Sequence, residues 1–219
     1  VRFIVASSPG GVPDLAARML ADRLSRSFNG VFVVENMMGG GGLLGAQTVA
    51  RAAPDGHTLW MATSTHLTSN PYMYKSLPYD PVRDYDPVSL FISSGFVFAV
   101  NAALPVRNIE ELVALARSQP GKLNYASTSP RGAAGIVGEW FNHVAGIRIA
   151  QIPYKTTAQA AQDTASGVTQ MIIISLGVVA PFVQAGKIRV IGVNASRRHP
   201  DLPDTRLVSE TYPGFALDS

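Results

Sequence analysis

Three stretches of this 219-residue sequence gather groups able to hold an oxyanion at the point where a strand hands over to a helix. The first is Ser7-Ser8-Pro9-Gly10-Gly11-Val12-Pro13-Asp14. Its glycines let backbone N–H groups approach a ligand, and a helix start favours negative charge. An ordinary tight turn would carry the same residues. The second is Thr63-Ser64-Thr65-His66, and the third is Ser127-Thr128-Ser129 with Arg131. Each offers hydroxyls and amides to an oxyanion, although simple N-capping needs those residue types too. Three such entrances in one chain point towards binding of a small anion.

Other chemistries fit less well. Gly40, Gly42 and Gly45 satisfy the G-x-G-x-x-G spacing of dinucleotide sites. That signature wants its first glycine directly after a strand and an acidic residue about 20 positions on. Here residues 35–39 intervene, and the next strand ends in Ala62-Thr63-Ser64-Thr65, with no acid. A flexible glycine loop suits the spacing better, and a nucleotide-dependent α/β enzyme is the alternative. The sequence has no G-x-S-x-G and no H-E-x-x-H. His57, His66, His143 and His199 lack metal-ligand spacing. Asp80, Asp84 and Asp86 lie among Pro81 and Pro87, as in a solvated turn. With no cysteine there is neither a thiol nucleophile nor a disulfide. The expectation is a binding protein without catalysis, cofactor or metal.

Composition agrees. Hydrophobic residues make up 47% and charged residues 15%, enough apolar material for a packed core. The net charge of +3 comes without a basic stripe, so nucleic acid is not the expected partner. A slight positive excess suits an anionic small ligand. No apolar run approaches the roughly 20 residues that span a bilayer. The opening residues are strand-like rather than a signal peptide, which fits a cytosolic protein or a processed secreted one.

Strand-like and helix-like runs alternate along the chain, which predicts an α/β fold with largely parallel sheets. Strands are expected over residues 3–6, 31–34 and 58–62, with helices over 13–28 and 43–52 between them. The run 90–100 reads as one long apolar strand crossing between two domains. Asn108 and Glu111 form a capping-box pattern at the next helix. Strands over 123–126, 149–153, 171–174 and 188–193 then alternate with helices over 132–144, 157–165 and 178–185. Residues 196–219 read as irregular with one short helix.

Several motifs carry a resemblance. They include Pro9-Gly10-Gly11 with Asp14, Val33-Val34-Glu35-Asn36, Gly39-Gly40-Gly41-Gly42 and Ala52-Ala53-Pro54-Asp55-Gly56. Further along come Leu77-Pro78-Tyr79-Asp80-Pro81, Pro120-Gly121-Lys122-Leu123-Asn124-Tyr125-Ala126-Ser127, Pro153-Tyr154-Lys155 and Pro213-Gly214-Phe215. In this order the sequence resembles the Bug-type extracytoplasmic solute receptors of tripartite tricarboxylate transporters.

The resemblance implies a two-lobed, periplasmic-binding-protein-like fold of the type II, Venus-flytrap kind. It implies export to the periplasm behind a removed signal peptide, a monomer, and membrane components of the transporter as partners. It also implies a carboxylate ligand in the cleft between the lobes: a dicarboxylate, amino acid or aromatic acid. Carried over by motif, the site comprises Pro9, Gly10, Gly11 and Asp14, then Ser64, Thr65 and His66, and then Ser127, Thr128, Ser129 and Gly132.

Three departures bear on this. Pro13 replaces the family's usual threonine. Residues 169–174 lack two acids usual there, which disfavours an amine-bearing ligand. Arg131 is unusual in its loop, and is expected to recognise a second anionic group. The expected lobes are residues 1–98 and 99–214, with 215–219 beginning a return to the first. Family members run on for roughly a further third, so the first lobe is expected to be incomplete. A ligand-sensing receptor with a signalling partner would share every one of these features.

Overall fold

The computed structural model describes residues 1–93, 95–128 and 131–217. The chain forms two compact units, Val1–Ile92 and Ser93–Ser219.

The first unit is a parallel sheet in the order β2-β1-β3, built from β1 (Arg2–Val5), β2 (Val33–Asn36) and β3 (Thr58–Met61). Between the strands run α1 (Val12–Phe28) and α2 (Leu43–Ala50). Strand side chains alternate between faces. Phe3 and Val5 therefore meet Ala17, Leu20, Ala21 and Leu24 of α1. On the other face Gly45 of α2 lies so close to Ile4 and Ala6 that a Cβ there would meet the Ala6 methyl at 2.9 Å. A short π turn, Thr65–Ser69, and α3 (Asn70–Met73) follow β3.

The second unit holds β4 (Phe96–Asn101), β5 (Asn124–Ser127), β6 (Ala150–Pro153), β7 (Met171–Ile174) and β8 (Ile188–Asn194). Their order is β6-β5-β7-β4-β8. Both neighbours of β5 are parallel to it, and β4 runs antiparallel to β7 and β8. On one face Phe98, Tyr125 and Ile173 pack with α4 (Ile109–Ser118) and α5 (Ala133–Ala145). On the other, Val97, Ala126 and Ile172 pack with α6 (Thr157–Ser166) and α7 (Leu176–Gln184). The Asn108 side chain caps α4 by accepting from the Glu111 N–H at 2.8 Å. The Glu111 carboxylate reaches back to the Arg107 N–H at 2.7 Å, one residue before the partner a capping box would use.

The structure differs from expectation in four places. The strand expected over residues 90–100 begins only at Phe96, opposite Asn194 of β8. Before that point Leu90, Phe91 and Ile92 are exposed, because β7 and β8 offer no further partner. The division between units falls before β4, so Phe96–Phe98 belong with the second unit. Phe215, expected to begin a return to the first lobe, instead stacks on Trp140 at 4.1 Å within the second. Strand β2 starts at Val33, set by its pairing with Arg2. Among the described residues no helix is long and apolar enough to cross a membrane.

Candidate functional site

Connections decide where an open α/β sheet has room for a ligand. In the first unit the chain leaves β1 through α1 to β2 on one side. It then crosses through α2 to β3 on the other. The ends of β1 and β3 are thus the switch point where a crevice opens. Val5 and Met61 pair there, so residues 6–11 and 62–64 emerge side by side. The second unit repeats this at β5 and β7, which are followed by Thr128, Arg131 and Gly132 and by Ser175.

The first loop is pinned from within. Pro9 and Gly10 occupy the corner of a turn closed by the Gly11 N–H donating to Ser8 O at 3.3 Å, with Gly10 at φ +79°. The Gly10 N–H donates to Asp14 Oδ2 at 2.9 Å. Asp14 is buried and also accepts from Arg18 Nε at 3.1 Å and from Asn36 Nδ2 at 2.9 Å. The Asn36 amide donates to Ser7 O at 3.3 Å as well. Burial alone would raise the Asp14 carboxyl. The hydrogen bonds from Arg18, Gly10 and Asn36, with the Arg18 charge, outweigh it and hold the carboxyl below its ordinary value.

Gly10, Gly11 and Asp14, expected at the ligand, thus hold one another and their own loop. Both glycine amides are already used inside the protein, and the carboxylate faces its own loop. The open donors lie one step on. Leu15 is the first residue of α1 whose N–H reaches a backbone carbonyl, Gly11 O at 3.0 Å. Ahead of it the amides of Val12 and Asp14 retain the unmet ends that a helix start leaves, and Pro13 has no N–H. Gly11 caps α1 in extended conformation, with no side-chain cap competing for those amides. Ser7 Oγ is buried nearby in sequence and without a partner among the described residues.

At the end of β3, Ser64 is half-buried, while Thr65 and His66 are buried. His66 Nδ1 accepts from the Thr63 N–H at 3.2 Å and lies 3.0 Å from Thr63 Oγ1. Accepting there leaves the proton on Nε2, which faces the glycine loop. Burial lowers the His66 pKa to about 4, against a hydrogen bond to the Gly41 backbone. The imidazole is therefore a neutral internal strut. Its ring nitrogens face Thr63 and Gly41 of the first unit, contacts that the sequence-based expectation for His66 did not include.

The same contact accounts for Gly42 of the G-x-G-x-x-G spacing, whereas a Cβ on its first glycine, Gly40, would make only ordinary contact with Leu43. A Cβ on Gly42 would overlap the His66 ring, one on Gly41 would meet the Tyr74 hydroxyl at 2.6 Å, and Gly45 seats α2 on β1. Close packing uses Gly42 and Gly45 of that spacing, and Gly41 between them.

In the second unit Ser127 is buried, and its carbonyl accepts from the Tyr154 N–H at 2.8 Å. Thr128 is half-buried, and Arg131 is exposed. Gly132 caps α5 with extended backbone and no side-chain cap, like Gly11 at α1. Ser129 lies outside the described residues. Sequence reasoning missed Ser175, the extended N-cap of α7 at the other side of this switch point. A serine directly after the apolar run 171–174 was the available signal. It also missed Arg18, although the Asp14–Arg18 spacing of four is a standard helix pair. Asp80 and Asp84 cap backbone amides of their own turn, and among the described residues no cluster of three metal-ligating side chains occurs.

Two α/β units, one with a parallel sheet and one with a mixed sheet, match the fold of solved periplasmic binding proteins. A solved periplasmic transporter structure superimposes over all of this chain and 73% of its own, with TM-score 0.93 and 34% identity. An R. palustris protein solved with adipate gives TM-score 0.92 at 30% identity, again over 100% of this chain and 73% of the other. A UPF0065 protein of Bordetella bronchiseptica is 34% identical over 219 residues, spanning the whole of this chain. The chain covers 65% of that relative's length. The family description "Tripartite tricarboxylate transporter family receptor" matches residues 16–219, and the chain belongs to this family.

Proposed function

We propose that this chain captures a small organic carboxylate, of the dicarboxylate class, as the periplasmic solute receptor of a tripartite transporter. It does so as a monomer, without catalysis or cofactor. The observation that carries this reading is the start of α1. Among the described residues two amides there have no carbonyl partner, the helix dipole favours an anion, and the loop from the β1/β3 switch point to the helix also carries the buried, unpartnered Ser7 hydroxyl. The likeness to a protein solved with adipate supports a dicarboxylate. Ser64 and Thr65 line the neighbouring loop, and Thr128, Gly132 and Ser175 supply the equivalent groups in the second unit. Ser127 and Ser129 belong to the same proposed loop, and Pro9 shapes the first one. The reading is tested by thermal shift against succinate, glutarate, adipate, pimelate and benzoate. A ligand at 100 times its Kd adds about 2.7 kcal/mol of apparent stability. No shift with any of these acids would overturn the carboxylate reading.

Within this reading Arg131 pairs with the distal carboxylate, since a guanidinium fork matches that group bidentately. Arg131→Ala is expected to weaken adipate by roughly tenfold, the low end for a charged hydrogen bond. Hexanoate, which lacks the distal carboxylate, should lose little. Equal losses in calorimetry would return Arg131 to the surface.

A further inference from the structure

A carboxylate at the mouth of a carboxylate-binding site is a liability. Asp14 sits in the first turn of α1, two residues after Val12, whose amide the proposed ligand would use. An ionised Asp14 would repel an anionic ligand there. Yet its oxygens are also the acceptors that hold Gly10 and Asn36 in place. The loop needs the acceptor and the ligand cannot tolerate the charge.

Arg18 resolves this conflict. Its Nε lies 3.1 Å from both Asp14 oxygens, and its terminal nitrogen donates to Asn36 Oδ1 at 3.1 Å. The guanidinium side chain is half exposed, with 53% relative exposure, while that of Asp14 is at 3%. The pair thus joins a buried carboxylate to a half-exposed cation, and it also ties the loop together. Its effect on a nearby third charge is a separate matter.

We propose that Arg18 is the counter-charge of the first unit's anion site: it cancels Asp14 so that the start of α1 remains attractive to a carboxylate. The inference rests on the carboxylate reading above and assigns a residue that reading does not use. Arg18 touches no ligand; it acts through Asp14.

The expected magnitude follows from Coulomb's law. One uncompensated charge within several ångströms of the ligand, at an effective dielectric near 20, changes affinity by roughly tenfold or more. Arg18→Ala should therefore weaken adipate about tenfold, with the loss shrinking as salt is raised. Arg18→Lys, which keeps the charge, should retain most of the affinity. The decisive variant adds Asp14→Asn to Arg18→Ala. Asparagine still accepts from Gly10 but carries no charge, so the double variant should bind adipate severalfold better than Arg18→Ala alone.

Isothermal calorimetry of the whole chain with succinate, glutarate, adipate and pimelate decides the matter, with thermal melts as the folding control. If wild type binds none of them, the carboxylate reading and this inference fall together. If wild type binds and Arg18→Ala binds equally well, only the inference falls. If the double variant is no better than Arg18→Ala, Arg18 is a structural brace and the counter-charge role is overturned. Arg18→Gln provides a second neutral side chain. Loss of folding in both neutral variants would equally assign Arg18 to structure.

Discussion

Gly42→Ala is expected to destabilise the first unit by about 2–5 kcal/mol, far more than an exposed glycine substitution would. Two separate costs combine. Gly42 has φ +92° and ψ −1°, a left-handed conformation that costs an L-residue about 1–2 kcal/mol. The new methyl would also land on the His66 imidazole. That ring has little freedom to retreat. Thr63 holds Nδ1, and Trp60 lies against the ring at 5.2 Å between centroids. Overpacking of a fixed neighbour adds about 1–3 kcal/mol.

The two costs can be separated. Gly10 has φ +79° with open space around its would-be Cβ. Gly10→Ala should therefore lose only the backbone part, about 1–2 kcal/mol. Adding His66→Ala to Gly42→Ala should remove the overpacking part relative to His66→Ala alone. Urea unfolding followed by Trp60 fluorescence, in a Trp140→Phe background, measures each. Equal midpoints for Gly42→Ala and wild type would mean that His66 does not fill this loop.

This contact shows what sequence spacing conveys and what it hides. The glycine-loop pattern was visible, as was the missing acid after β3. Nothing in the spacing could say that a histidine from the far side of β3 takes the place of the missing Cβ. The first loop behaves similarly. Its position at a strand end followed from the alternation of strands and helices. Which amides face outward did not, because that depends on the Asp14 side chain folding back onto Gly10. Residues 90–95 mark a third limit. Leu90, Phe91 and Ile92 have strong strand propensity, but a strand needs a partner, and β7 and β8 end too early to provide one. The Asn108 cap and the apolar faces of β4 and β7 were readable because they depend on local chemistry and period alone.

Acidification is the second large effect, and it follows from His66 being neutral in the fold. Its folded pKa is about 4, against an ordinary 6.5 for the unfolded chain. Between these values the unfolded state binds the proton and the folded state does not. Stability contributed by His66 is therefore complete above about pH 6.5 and is lost as pH falls towards 4. Linkage at 1.36 kcal/mol per unit gives a loss of about 2.5 kcal/mol between pH 7 and pH 4.5. Asp14 does not confuse this window. Its folded pKa is lowered from 3.8, so its contribution holds above that value and fades only in stronger acid. The measurement is urea unfolding of the first unit at the two pH values, with Trp60 as the probe. His66→Gln removes the titrating group and should flatten the difference between them. A wild-type midpoint as insensitive to pH as the His66→Gln midpoint would show that His66 is not held neutral. In that case the strut between the end of β3 and the glycine loop would have to be redrawn with a charged ring.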